Sequence, residues 1–149
     1  MAMMADKAIV IDTNIVSYLR NNTPGYTDKA IERIRDLMEN GCSVCVTEQI
    51  LREFLVTQSN LQKIYNKVDY NQLQADVDYI KSQFPLYYPS GQSVQLLSDY
   101  VYRYQLKAKK IHDANIVAVA AANNIKSIFT NNPSDFSFAL NEGFEIITL

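Results

Sequence analysis

Ile9, Val10 and Ile11 are consecutive apolar residues that break off at Asp12-Thr13-Asn14, ahead of the helix-like Ile15-Val16-Ser17-Tyr18-Leu19. An apolar run without alternation is a strand covered on both faces, as in a parallel sheet under helices. That places Asp12 where a strand stops and a helix begins, the edge at which open α/β sheets bind ligands. Taken alone, Asp-Thr-Asn reads first as a helix N-cap. The other acids of the chain decide whether it is more.

Taken in order, the sequence alternates strand and helix signals. A first helix runs from Asp12 to Asn21, where Asn21-Asn-Thr-Pro-Gly25 is dense in turn formers. Thr27 is expected to cap a second helix through Glu39, with Ile31, Ile34, Leu37 and Met38 on one face, stopped by Asn40-Gly41. Cys42–Val46 reads as a second strand, and Thr47 opens a helix carrying Ile50, Leu51, Phe54 and Leu55. Glu53 follows Ile50 by three and so lies on or beside that apolar face. The polar middle, 58–81, spaces Ile64, Val68, Leu73, Val77 and Ile80 for one or two amphipathic helices, and Leu86–Pro89 is a short extended piece. Ser90 or Ser93 starts a helix through Leu106 with Val94, Leu97, Val101 and Tyr104 inward, followed by a basic connector of Lys107, Lys109 and Lys110. His112-Asp113 introduces a buried helix from Ala114 to Asn124. Ser127–Thr130 and Glu145–Thr148 are the last two strands, around a turn and a short helix opened by Asp135. The expectation is one α/β domain over 1–149, a three-layer α/β/α sandwich around a mainly parallel sheet.

A length of 149 residues with 48% apolar and 20% charged residues suits one globular domain. The net charge of −2 advertises neither nucleic acid nor membrane through a global field. Cys42 and Cys45 are spaced C-x-x-C, but a zinc site wants a second ligand pair and the single histidine, His112, is remote, so both are expected to be reduced strand residues. Met1-Ala-Met-Met-Ala5 is too short for a targeting segment, and no apolar run approaches a membrane span. A cytoplasmic protein is expected.

Asp12 and the Thr130–Asp135 segment both follow a buried strand, Asp113 stands at the start of a buried helix, and Glu53 lies on the near face of another. In a parallel sheet these acids can converge on one rim. Two like unit charges about 4 Å apart repel by about 4 kcal/mol at an effective dielectric near 20, a cost that a hard cation relieves. Oxygen donors alone suit Mg²⁺ or Mn²⁺, and such an ion can activate water for attack on phosphorus. Each acid has a plainer reading. Asp113 could cap its helix, Glu53 could pair with Arg52 while Glu48 competes for its role, and Ser134-Asp135 fits a capping turn. The lysines by default form a solvated face, though they abut Asp113 and could hold a phosphate backbone.

Four segments in this order resemble the motifs of the PIN domain, and within it the VapC-like toxins of toxin–antitoxin pairs. They are Ile11-Asp12-Thr-Asn14; Val46-Thr47 with Leu51-Arg-Glu53-Phe54; Ile111-His-Asp113-Ala-Asn-Ile-Val-Ala118; and Phe129-Thr130-Asn-Asn132-Pro-Ser-Asp135-Phe136. The resemblance spans essentially the whole chain. It implies an Mg²⁺- or Mn²⁺-dependent endoribonuclease with Asp12, Glu53 and Asp113 as metal-binding carboxylates, completed by Asp135 or Asn132. Thr130 and Asn14 would orient the acids or the attacking water. Asn14, Asn132, Lys107, Lys109 and Lys110 are the candidates for contacting RNA. The implied partners are an RNA substrate, a cognate antitoxin protein and a second copy in a homodimer, with no membrane. The alternative is a catalytically silent PIN-like module that binds RNA or protein. Phosphotransfer through an aspartyl intermediate at Asp12 is weaker, because such enzymes want a second acid where this chain has Asn14.

Overall fold

The run that opens the chain is the centre of its sheet. The computed structural model describes residues 7–65 and 67–149, so the Met1–Ala5 reading lies outside the described residues. Strand β1 (Lys7–Ile11) has Ile9, Val10 and Ile11 fully buried in succession, which requires cover on both faces. It pairs in parallel with β2 (Cys42–Thr47) on one side and β4 (Ser127–Phe129) on the other. The edges are β3 (Leu86–Tyr87), beside β2, and β5 (Glu145–Ile147), beside β4. All four pairings are parallel and the order is β3-β2-β1-β4-β5. Helices flank the sheet in a PIN-like α/β/α arrangement. Leu86-Tyr87, expected only as an extended piece, supplies a fifth strand.

The order of strands positions the site. The chain steps from β1 to β2 to β3 in one direction and returns on the other side of β1 as β4. The crevice between the carboxyl ends of β1 and β4 is therefore a topological switch point, where open sheets take ligands. Asp12 and Thr130 are the residues immediately after those two strands. The Asp12 amide donates to the Phe129 carbonyl at 2.9 Å, and the Thr130 amide to the Ile147 carbonyl at 2.9 Å.

Helices α1 (Thr13–Arg20), α2 (Thr27–Glu39), α3 (Glu48–Tyr65), α4 (Tyr70–Gln83), α5 (Gly91–Tyr104) and α6 (Lys109–Ala122) follow in chain order. A 3-10 stretch, Pro133–Glu142, lies between β4 and β5. Gly41, at φ +84, ends α2 in the left-handed conformation that glycine accepts most readily. Ser90 and Ser93 form a reciprocal capping box that starts α5, so both candidate start residues take part.

Several expected faces differ. Thr27 does not cap α2. It lies inside the helix, and its hydroxyl donates to the Tyr18 and Asn21 carbonyls while accepting from the Thr23 amide, which ties the turn to α1. Ile31, Met38 and Val94 are exposed, and Ala30 and Tyr100 occupy the buried positions of their helices. The final apolar helix starts earlier than its sequence suggests, at Lys109 instead of Ala114, which puts Asp113 inside α6. Cys42 and Cys45 are free thiols; Cys45 is buried, donates to the Ile9 carbonyl, and burial pushes its thiol up to about 12. Both lie on β2, as the sequence placed them.

The polar middle segment has a structural purpose. Asp76 of α4 is fully buried and accepts from Arg20 Nε at 2.9 Å, Gln72 Nε2 at 3.2 Å and Gln58 Nε2 at 3.2 Å. Gln58 and Asn21 also exchange hydrogen bonds through their amides. The network fastens α4 to the end of α1 and the middle of α3. Replacing Asp76 with alanine removes one of the two acceptors of the buried Gln58 amide, leaving it Asn21 alone, and releases Arg20. A stability loss of about 2 kcal/mol is expected, read from the denaturation midpoint, and an unchanged midpoint would contradict the assignment.

Candidate active site

The switch-point crevice opens into a cavity of about 670 Å³ lined by residues from all four sequence segments. Asp12, Thr13, Asn14, Glu53, Lys109, His112, Asp113, Asn132 and Asp135 face it. Local structure delivers each acid. Asp12 is the N-cap of α1, its Oδ1 accepting from the Thr13 amide at 2.8 Å, so the capping role and the position in the cavity coexist. Glu53 lies one turn after Gln49 on α3, beside the buried stripe of Ile50 and Phe54. Asp113 sits past the first turn of α6. Ala108 precedes that helix without capping it and, at φ +52, is in a region that favours glycine. Asp113 is therefore not spent on a cap.

Beneath the cavity the acids are held by neutral donors. Thr130, fully buried, donates through its hydroxyl to Asp12 Oδ2 at 2.7 Å and accepts from the Asn132 amide at 3.0 Å. Asn14 Nδ2 stands 3.4 Å from the same Asp12 oxygen, and Asn14 Oδ1 accepts from the Asn131 amide at 3.2 Å. Glu53 takes the Thr13 hydroxyl on Oε2 at 2.7 Å and the Gln49 amide on Oε1 at 3.0 Å. Arg52 pairs with Glu48, not with Glu53, which removes Glu48 as a competitor.

Electrostatics in the crevice disfavour charge. Burial raises the Asp12 carboxyl above its ordinary value; the Thr130 and Thr13 hydrogen bonds oppose this, and Glu53 and Asp135 add to it. Burial likewise pushes Asp113 up to about 6, reinforced by Asp135, Asp12 and Glu53 and opposed by Lys110. Asp113 Oδ2 is buried without any hydrogen-bond partner. A buried carboxylate oxygen facing other acids and lacking a donor is an acceptor that a cation would satisfy. The donor set, all carboxylate and hydroxyl oxygen, suits a hard divalent ion. Among the described residues, no three His, Cys, Asp or Glu side chains are gathered tightly enough to grip an ion as they stand. The acids line an open cavity and do not form a closed cage.

Of the basic residues, Lys109 lines the cavity, and Lys110 reaches the Ser134 carbonyl at 3.3 Å and Asp135 Oδ1 at 3.5 Å. Lys107 is exposed and does not line the cavity. Two contributors escaped sequence reading: Thr13, hidden inside an apparent capping cluster, and Gln49, an uncharged residue within an ordinary helix. Spacing alone could have found Gln49, since it precedes Glu53 by one helical turn.

A parallel sheet carrying acids in the crevice between its first and fourth strands is the PIN-like architecture, and comparison with solved structures agrees. VapBC2 from Rickettsia felis, bound to a DNA fragment from its promoter, superposes with a TM-score of 0.71 at 19% identity, covering 95% of this chain and 98% of that one. VapBC-1 from nontypeable Haemophilus influenzae gives 0.67 at 17% identity, covering 95% and 96%. VapC20 from Mycobacterium tuberculosis, a toxin that cleaves the sarcin–ricin loop, gives 0.61 at 15% identity, covering 92% and 96%. The chain has the fold of these VapC structures. By sequence it matches no family model and no curated protein. No helix among the described residues is long and apolar enough to cross a membrane.

Proposed function

We propose that the protein is a divalent-metal-dependent endoribonuclease of the VapC type, the toxin of a toxin–antitoxin pair. The observation that carries this is the orphaned Asp113 oxygen in a crevice whose buried acids repel one another. Asp12, Glu53 and Asp113 would hold Mg²⁺ or Mn²⁺, with Asp135, the fourth acid facing the cavity, completing the set and Asn132 beside it. The ion supplies a Lewis acid for the phosphoryl oxygens and a means of acidifying an attacking water.

The chain's own groups do the rest. Thr130 and Asn14 orient Asp12, and Thr13 orients Glu53. Lys109 offers a cation at the cavity wall for a backbone phosphate. Lys110 holds Asp135 in place. The likeness to VapBC complexes supports a cognate antitoxin as partner. Exposed apolar side chains at Val56, Ile64 and Tyr65 of α3 offer surface for a second copy.

The test is incubation of the protein with structured and single-stranded RNA in Mn²⁺, in Mg²⁺ and in chelator. Cleavage with either ion and none in chelator is expected. The open spacing of the acids is the one feature that favours a binding module without catalysis; RNA binding with no cleavage under any ion would establish that instead.

A further inference from the structure

Glu53 is the only one of the cavity acids whose two oxygens are each held by a side chain from a different position on the scaffold: Thr13 of α1 on Oε2 and Gln49 of its own helix on Oε1. Gln49 is buried, 5% exposed, and is itself held. Its Oε1 accepts from Asn115 Nδ2 of α6 at 3.2 Å and from Arg52 at 3.3 Å. An arginine can only donate and a carboxylate can only accept. The Gln49 amide therefore has one orientation compatible with both neighbours, its nitrogen toward Glu53. Asn115 stands two residues after Asp113. Among the described residues, Asn115–Gln49 is the one side-chain hydrogen bond joining α3 to α6.

We infer that Gln49 is a positioning residue: with Asn115 it sets where the Glu53 carboxylate stands relative to Asp113, and so tunes the affinity of the crevice for a divalent ion. This rests on the metal-dependent reading above. The choice of residue is chemically apt. A lysine or arginine at 49 would neutralise Glu53 and compete with an ion, whereas a neutral amide fixes the carboxylate and leaves its charge in place. Carboxylates that bind metals are themselves held by hydrogen bonds in this way, and loss of such a partner costs about 10- to 100-fold in affinity.

The experiment is calorimetric titration of MnCl₂ into the full chain for wild type, Gln49→Leu, Asn115→Ala and the double variant, with the metal-free melting temperature recorded for each. The expected result is Mn²⁺ binding weakened about tenfold or more by Gln49→Leu and less by Asn115→Ala. The double variant should be no weaker than Gln49→Leu alone, because both residues act through the same chain of hydrogen bonds. Melting temperatures should change little. Affinity within twofold of wild type in Gln49→Leu, or lowered melting with unchanged affinity, overturns the inference and leaves the nuclease reading standing. If Gln49→Leu does not fold, Asn115→Ala decides alone, and unchanged affinity there overturns it. Absence of Mn²⁺ binding by wild type overturns both.

Discussion

Asp113→Asn is expected to abolish metal-dependent RNA cleavage while leaving the fold intact, and Asp12→Asn to do the same. The loss should be about a thousandfold or more in the single-turnover rate, corresponding to about 4 kcal/mol of transition-state stabilisation withdrawn with the ion. The reason lies in the contrast between the two roles a buried acid can have. Asp113 caps nothing and its Oδ2 bonds to nothing, so an amide there removes charge without breaking a contact. Asp12 does cap α1, but asparagine caps as well as aspartate. Asp113→Asn should therefore melt at or above the wild-type temperature without metal, whereas Asp12→Asn keeps the cap but loses the oxygen that accepts from the buried Thr130 hydroxyl, and should melt slightly lower. If either cleaves RNA at the wild-type rate with Mn²⁺ present, the acids are not the centre of the chemistry.

The second large effect is on stability. Asp113 has a folded value of about 6 against an ordinary 3.8, so the folded state holds its proton more tightly than the unfolded state. For an acid raised in this direction, the stabilisation is fully present only below the unfolded value of 3.8 and is lost as pH rises through 6. The metal-free protein should gain about 2 kcal/mol from this group on going from pH 7 to pH 4. Asp12, raised in the same direction, adds to it. Other carboxyls titrate in that range as well, so the quantity to measure is the difference in unfolding free energy between wild type and Asp113→Asn at each pH. That difference should shrink as the pH falls. Saturating Mn²⁺ should reverse the sign, because an ion that binds only the folded carboxylate form stabilises it at neutral pH. A pH-independent difference would show that the crevice does not strain Asp113.

Much of this was legible before any coordinates. The unbroken Ile9-Val10-Ile11 run identifies a strand covered on both faces, and strand–helix alternation then brings Asp12 and Thr130 to one edge by topology. Hydrophobic spacing was less informative where helices are only lightly covered. Ile31, Met38 and Val94 have helical spacing yet are exposed, because periodicity records which residues share a face and not whether anything packs on it. The start of α6 was obscured for a different reason. It has no capping side chain, and a basic, connector-like segment forms its first turn, so the usual start signals are missing. Gln49 and Asn115 carry no charge or pattern at all; their role depends on two helices meeting.

The most direct measurement is anomalous diffraction from a crystal of the protein soaked in Mn²⁺. A peak among the carboxylates of Asp12, Glu53 and Asp113, absent from an Asp113→Asn crystal treated identically, is the predicted result. A soaked crystal with no peak in that crevice, or with one that persists unchanged in the variant, would contradict the account.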